Sequence, residues 1–315
     1  MSDVAMSRAM ARLNGPAANS RRRRRRVREQ FIEFTLMACA GFSVFVTLAI
    51  VAVLLYESAR FFSAVSIFEF LTTTTWTPTF ADPKYGVLPL VAGTVLSSLV
   101  ALVVAMPLGI IIAIYLSEFA NEHVREVLKP FLELLSGIPT VVYGYFALLF
   151  VTPLLKATIL PNLPGFNVLS AGIVMGIMII PYISSLSEDA MRAVPNALRE
   201  GSLAMGATGF QTAIKVVLPA AFSGLAAAAV LAVSRAVGET MIVAIAAGQQ
   251  PNFTLNPMES AATITSYIAQ VALGDLPHGS IAYESIFAAG LMLLGMTLLF
   301  NLVAHLLRRR FREVY

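Results

Sequence analysis

The chain has 315 residues, of which 57% are hydrophobic and only 13% are charged, and its net charge is +4. Soluble domains carry about 25% charged residues, so this composition argues against a soluble protein and indicates a membrane protein with several spans. Cys39 is the only cysteine, which excludes an intrachain disulfide.

Six long apolar runs predict six transmembrane helices, because a spanning helix needs about 20 mainly apolar residues. The second run is interrupted by Pro107 and Gly109, and Ser136–Thr140 predicts a helix break in the third. The runs lie at 34–56, within 85–117, at 134–155, at about 168–186, at about 220–248 and at 285–307. The predicted fold class is therefore an all-α polytopic membrane protein.

The basic residues predict that both chain ends are cytoplasmic. With six spans in that orientation, 18 Lys and Arg residues fall on the inner side and three on the outer side. This bias agrees with the positive-inside rule. The basic tails, residues 1–33 and 308–315, are then flanks that set the topology. The run Arg21–Arg26 could also be a nucleic-acid patch, but the topology explains it and no nucleic-acid partner is predicted.

The segment 57–84, between the first two spans, is an external loop in this orientation and is rich in aromatic residues. One interpretation is packing at the membrane interface, with Trp76 and the phenylalanines as anchors. The other is a surface that receives an external partner. The sequence favours the first.

The longest inner loop is Glu188–Pro219. Its composition predicts a short helix that starts at Pro195, a turn at Gly206 and Gly209, and a second helix that stops at Pro219. Four apolar positions, Ala197, Leu198, Leu203 and Met205, could pack into a groove of a partner protein. Alternatively, the segment lies on the membrane surface.

The fifth run contains two charges, Arg235 and Glu239, although a charge in mid-membrane costs roughly 2.5–3.5 kcal/mol. Four residues apart on a helix, they share one face and can reach each other. They could neutralise each other for packing, line a transport path, or, for Glu239, relay protons. Arg235 suits an oxyanion because its planar fork offers paired donors and stays charged. Thr240 and Ser234 are weaker candidates for polar lining.

The loop Glu188–Pro219 contains a stretch that resembles the motif by which permeases of ATP-binding cassette (ABC) importers dock on their ATPase, and this loop is called the coupling segment below. That motif is typically Glu-Ala-Ala, three residues, Gly, nine residues, Ile, any residue, Leu-Pro. The matching positions in this chain are Glu200, Gly201, Ser202, Gly206, Val216, Leu218 and Pro219. Two alanines are replaced by Gly201 and Ser202, and the isoleucine by Val216. The resemblance implies that this segment transmits the closure of a cytoplasmic ATPase.

The resemblance extends to one type of importer. The stretches YGVLPLVAGTVLSS, MPLGIIIAIYLSE, SGIPTVVYG and SRAVGETM are similar to the permeases of the phosphate-specific ABC importer, and Trp76-Thr77-Pro78 followed by Tyr85-Gly86 is similar to its C-type subunit. The family implies the type I ABC importer permease fold over residues 85–307. It also implies a path lined by Arg235, Glu239 and Thr240, in a bacterial plasma membrane.

The implied partners are a second related permease, an ATPase dimer and an external phosphate-binding protein. The chain has no Gly-x-x-x-x-Gly-Lys-[Ser/Thr] phosphate loop, so we expect ATP to bind to a separate subunit and this chain to be neither an enzyme nor a cofactor protein. No metal site is expected, because His123, His278 and His305 are far apart in the sequence. Rival functions are import of sulfate or molybdate, proton-coupled secondary transport through Glu239, and a membrane scaffold without transport.

Overall fold

The computed structural model describes the backbone of residues 16–310 and the side chains of residues 28–303 and Leu306. Most of the basic charge in the two tails, on which the predicted orientation depends, lies outside the described side chains. The described residues are helical and contain no β-strand, with one isolated bridge between Trp76 and Tyr85.

Twelve helical segments are numbered here in chain order. They are α1 Pro16–Ala64, α2 Ile67–Thr72, α3 Leu88–Phe119, α4 Glu122–Gly137, α5 Thr140–Thr158, α6 Val168–Arg192, α7 Asn196–Ala204, α8 Gly209–Ala220, α9 Phe222–Val237, the π-helical turn α10 Val243–Ala247, α11 Ile264–Ala272 and α12 Ile281–Arg310. Among the described residues, α1, α3, α5, α6 and α12 are long and apolar enough to cross a membrane. A sixth span results if α8 and α9, bent by 71°, count as one. This count confirms the predicted all-α architecture.

Two of the predicted spans have different boundaries in the structure. The second span was expected to be interrupted at Pro107 and Gly109, but α3 continues through both residues and ends in a π-helical turn, Tyr115–Phe119. The third span begins at Thr140 rather than at Leu134, because α4 ends at Gly137 and the extended residues Ile138 and Pro139 separate it from α5. The predicted break within Ser136–Thr140 is thus confirmed.

The main core lies where α6 packs against α3. Two glycines of α6 permit this approach: a Cβ on Gly172 would lie 2.6 Å from the Val100 Cβ, and one on Gly176 would lie 2.8 Å from the Ala101 carbonyl oxygen. Small residues let membrane helices approach closely. The resulting van der Waals contacts stabilise the helix pair in a bilayer, where no hydrophobic effect drives helices together. The contact fixes α6, which carries part of the candidate site.

Replacing Gly176 by alanine is expected to destabilise the protein, by about 1–3 kcal/mol, because the new methyl group meets backbone and cannot turn away. The measurement is the melting temperature of the purified protein. Gly295→Ala is the matched control, since no atom lies within 4 Å of its added Cβ. Equal melting temperatures for the two variants would contradict this account of the α3–α6 contact.

A second core lies at the end of the bundle where α3 begins. It is built around Trp76, which is 2% exposed. Its ring meets Tyr267 edge-on at 5.0 Å between centroids, and Phe70 and Tyr85 at 6.2 and 6.1 Å. Phe61 is fully buried in the same cluster. Trp76 was predicted to anchor this segment at the membrane interface, and that prediction is wrong. Trp76 is a core residue and not an interfacial anchor, because its ring is enclosed by other aromatic rings.

Candidate translocation site and coupling segment

The fifth predicted span is not one continuous helix. The helix α9 ends at Val237, residues 238–240 are non-helical, and helix resumes at Met241. The Gly238 N–H donates to Ser234 O at 3.2 Å and the Glu239 N–H to Ala236 O at 3.3 Å, which tightens and closes the last turn. Membranes tolerate such breaks where the backbone is buried in protein or lines a cavity. In transporters, broken helices of this kind form substrate sites.

Arg235 lies on the last turn of α9, next to this break. Its Cζ atom is 4.5 Å from the centroid of the Tyr182 ring, which belongs to α6. A cation over an aromatic face is stabilised by the ring quadrupole, and a cation at a helix C-terminus by the helix dipole. The buried Nε atom of Arg235 has no hydrogen-bond partner. The guanidinium is thus held in place while keeping donor capacity.

Glu239 makes different contacts from those predicted. Its Oε1 accepts hydrogen bonds from the N–H groups of Met241 at 3.2 Å and Ile242 at 3.4 Å. Thr265 Oγ1 donates to the Glu239 carbonyl oxygen at 2.6 Å, and the residue is 8% exposed. A carboxylate is favourable at the start of a helical turn because the free N–H groups there carry partial positive charge. Glu239 therefore caps the turn that leads into α10.

The predicted contact between Arg235 and Glu239 is wrong for this structure: no ion pair joins them among the described residues. The prediction assumed that a helix carries both residues on one face, and the helix ends between them at Gly238. Thr240 lies in the break, half-buried, with its Oγ1 donating to Gly238 O at 3.4 Å. The positive charge of Arg235 thus has no carboxylate partner in the described part of the chain, which suits the binding of an oxyanion.

The coupling segment folds largely as predicted, although Gly209 begins α8 and is not part of the turn. The first helix, α7, follows Pro195, and Gly206 adopts a φ of +85° that favours glycine. The side chains of Thr208 and Gln211 then cap the start of α8 reciprocally. The second helix was expected to stop at Pro219 but continues to Ala220. Pro219 follows the π-helical turn Ala213–Val217 directly, at a position where the missing N–H of proline is tolerated.

The motif residues of the coupling segment differ in exposure. Glu200, Gly201, Gly206 and Pro219 are exposed, whereas Ser202, Val216 and Leu218 are half-buried. The hydroxyl groups of Ser202 and Thr212 lie 2.9 Å apart and connect α7 to α8. The two helices therefore form one hydrogen-bonded unit.

An apolar patch covers the outer side of this unit, formed by Leu203, Met205 and Phe210, which are 51%, 89% and 65% exposed. Two of these residues were predicted to face a partner, and Phe210 was missed. Leu198 was also predicted to do so, but it packs inward against a core cluster. Exposed apolar patches mark interaction surfaces.

A buried carboxylate that the sequence analysis did not single out fixes the neighbouring α4. Glu188 on α6 is 1% exposed and lies 3.2 Å from Arg125 Nε and 3.3 Å from Lys129 Nζ, although neither cation donates to it with hydrogen-bond geometry. Lys129 also pairs with Asp189 at 3.2 Å. Burial lowers the pKa of Lys129, but the hydrogen bond to Asp189 and the charge of Glu188 outweigh it and leave the pKa raised. Lys129 therefore stays charged at neutral pH.

A cavity and the possibility of a metal site remain to be described. At the end of the bundle that contains Trp76, a cavity of about 390 Å³ is lined by Phe80, Gln249, Tyr267 and Gln270, among others. No group of three or more His, Cys, Asp or Glu side chains in the described part of the chain could hold a metal ion. Of the three histidines, the side chain of His305 lies outside that part.

Comparison with known proteins identifies the family. A model of the family "Binding-protein-dependent transport system inner membrane component" matches residues 105–313. The chain is 39% identical to a probable ABC transporter permease protein, YqgH, of Bacillus subtilis, with 92% of this chain and 94% of the relative covered. It is 33% identical to the phosphate transport system permease protein PstC of Mesorhizobium japonicum, with 86% and 87% covered.

The fold is also that of solved ABC transporters. A bacterial ABC transporter involved in the import of the acidic polysaccharide alginate aligns with a TM-score of 0.63 at 17% identity, covering 93% of this chain and 100% of that one. The methionine transporter MetNI aligns with a TM-score of 0.53 at 21% identity, covering 72% and 95%. The chain therefore belongs to the family of inner membrane components of binding-protein-dependent transport systems, and it is a permease subunit with the ABC importer fold.

Proposed function

We propose that this chain is the permease subunit of an ATP-driven importer of inorganic phosphate and forms half of the translocation path. The observation that carries the proposal is the guanidinium of Arg235. It lies at a break in a span, with a buried Nε that has no hydrogen-bond partner and no carboxylate paired to it among the described residues. A permanently charged, forked donor in this position suits a tetrahedral oxyanion.

The relatives support phosphate as that oxyanion. Besides the Mesorhizobium protein, a probable PstC of Methanocaldococcus jannaschii is 30% identical over 74% of this chain. The Bacillus relative is named as a probable ABC permease, without a substrate. Phosphate import thus rests on these names together with the chemistry of Arg235.

The other members of the machine follow from the family and from the distribution of charge. The bias of basic residues supports cytoplasmic chain ends in a bacterial plasma membrane, with the coupling segment also inside. The exposed apolar patch of α7 and α8 then faces an ATPase dimer, which binds the ATP, and this chain holds no cofactor. The cavity next to Trp76 lies outside, where a phosphate-binding protein docks. A second, related permease supplies the other half of the path.

In this mechanism Arg235 binds the anion and the protein moves around it. The ring of Tyr182 holds the guanidinium without neutralising it. Glu239 stabilises the backbone of the break, because its side chain accepts hydrogen bonds from the N–H groups of Met241 and Ile242. ATP-driven closure of the ATPases displaces the coupling segment, and the spans then expose Arg235 to one side and afterwards to the other.

The test is uptake by proteoliposomes that contain the complete transporter, with ATP enclosed and the binding protein and labelled phosphate outside. We expect uptake that requires ATP, survives a protonophore, and is not competed by excess sulfate or molybdate. Uptake of labelled sulfate or molybdate instead would assign a different oxyanion. Uptake that persists without ATP but stops with a protonophore would indicate a secondary transporter and contradict the proposal.

A further inference from the structure

One arginine of the coupling segment points away from the exposed apolar patch and into the bundle. Arg199 lies on α7, next to Glu200 of the motif. Its Nε donates to Glu118 Oε2 at 3.2 Å and its Nη2 to Glu118 Oε1 at 3.0 Å. The two side chains are 18% and 11% exposed. A forked pair of this kind fixes both distance and orientation, and its partial burial limits screening by solvent and salt.

The remaining donors of the same guanidinium bind Met191 near the C-terminal end of α6 and two residues at or before the start of α7. Nη2 donates to Met191 O at 2.8 Å, and Nη1 donates to Val194 O at 2.6 Å and to Asn196 Oδ1 at 3.2 Å. The last carbonyl groups of a helix lack partners within the helix and carry partial negative charge. Arginine has five N–H donors, and here five hydrogen bonds use its three nitrogens. Lysine has neither the number nor the planar geometry to replace it.

Arg199 therefore connects three elements: α7 of the coupling segment, the π-helical end of α3 that carries Glu118, and the C-terminal end of α6. No residue of α7 is itself buried, so packing alone holds this helix weakly. The chain continues from α8 into α9 through a 71° bend, which is one route for motion. The contacts of Arg199 provide a second route, directly into α3 and α6.

The second route reaches the candidate site. The helices α3 and α6 pack closely at Gly172 and Gly176, so a movement of their inner ends is passed along this contact. Tyr182, which holds Arg235, lies on the same α6. A displacement of α7 that is transmitted by Arg199 would thus move the ring beneath the anion-binding guanidinium.

We propose that Arg199 and Glu118 are positioning residues that transmit the movement of the coupling segment to spans α3 and α6, and that this link sets how much substrate is imported per ATP hydrolysed. The inference rests on the proposed docking of an ATPase on the coupling segment. It assigns to two residues outside the matched motif a mechanical role, distinct from docking itself.

The experiment measures three quantities on the complete transporter in proteoliposomes: co-purified ATPase, ATP hydrolysis stimulated by the binding protein, and uptake of labelled phosphate. The variants are Arg199→Lys, which keeps the charge but not the fork, and Glu118→Gln, which keeps the shape but not the charge. We expect wild-type amounts of ATPase and continued hydrolysis, with imported phosphate per ATP reduced at least about fivefold. Glu122→Gln is the matched control, because this acid is exposed at the start of α4, and it should keep the wild-type ratio.

A wild-type ratio in both variants, with the ATPase bound, would overturn this inference and leave the proposed function standing. Loss of the ATPase from both variants would also overturn it, because the pair would then serve docking or folding. If the wild-type complex binds no ATPase or imports nothing, the proposed function fails, and the inference fails with it. If the wild type imports another oxyanion, the same ratio is measured with that ion.

Discussion

Replacing Arg235 by glutamine is expected to reduce ATP-driven phosphate uptake by about 10- to 100-fold at unchanged protein level. A hydrogen bond to a charged group contributes about 1.5–3 kcal/mol, and each 1.4 kcal/mol is about tenfold in an equilibrium constant. Glutamine is polar and shorter, so it removes the charge and the fork without placing an apolar group in the break. The measurement is uptake of labelled phosphate by proteoliposomes, normalised to the amount of assembled transporter.

Two further variants separate a role in the path from a role in packing. Lys156→Gln removes a positive charge from an exposed position at the end of α5 and should leave uptake near the wild-type level. Tyr182→Leu removes the ring beneath Arg235 and should reduce uptake less than Arg235→Gln, because the charge remains. If Arg235→Gln leaves uptake unchanged, Arg235 is not on the path. If it removes the protein from the membrane, its role is structural.

The role of Glu239 in the structure is to cap a helical turn, and not to pair with Arg235 as the sequence predicted. If it were paired with Arg235, its loss would leave a charge exposed to substrate. As the cap of the turn at Met241 and Ile242, its loss would instead destabilise the break itself. A buried acid that accepts two backbone hydrogen bonds is held in place, which argues against Glu239 as a mobile proton carrier. The break and its charge are thus separate features, maintained by two different residues.

The spans could be predicted from the sequence because hydrophobicity over about 20 residues is a strong local signal. Breaks within them were harder to predict, although the predicted break within Ser136–Thr140 was correct. Glycine and proline are common in membrane helices, so neither residue type marks a helix end reliably. Pro107 was wrongly expected to interrupt α3, whereas the end of α9 at Gly238 was not predicted. Whether a helix tolerates either residue depends on neighbouring helices that satisfy the freed backbone groups, and a single sequence does not show those neighbours.

The coupling segment was more predictable because its turn is specified locally. Gly206 at positive φ and the Thr208–Gln211 cap are properties of a few adjacent residues. Contacts distant in sequence were missed: Arg199 with Glu118, Glu188 with Arg125, and Arg235 with Tyr182. In the sequence Arg125 and Arg199 appeared only as part of the charge bias, and Arg235 was expected to meet Glu239 instead of Tyr182. Their partners lie on other helices and become visible only once α3, α4 and α6 are packed.

The apolar patch of the coupling segment carries the second large expected effect. Met205 and Phe210 are 89% and 65% exposed, and such anchors typically contribute 2 kcal/mol or more each when buried in a partner. Replacing both by aspartate is expected to weaken ATPase binding by at least about 30-fold, even if only one of them is an anchor. Deleting Ala204–Thr208, which removes Gly206 and the cap, should abolish the association entirely. The measurement is the amount of ATPase that co-purifies with the tagged permease.

The same readout requires a control for exposed apolar side chains in general. Phe80→Asp alters a phenylalanine that is 70% exposed and lines the cavity at the opposite end of the bundle, so ATPase recovery should be unchanged. Retention of the ATPase by the double variant and by the deletion would place the docking surface elsewhere on the chain. Loss of the ATPase in the Phe80→Asp variant as well would show that the assembly responds to general destabilisation, because a side chain at that end cannot contact a protein bound to α7 and α8.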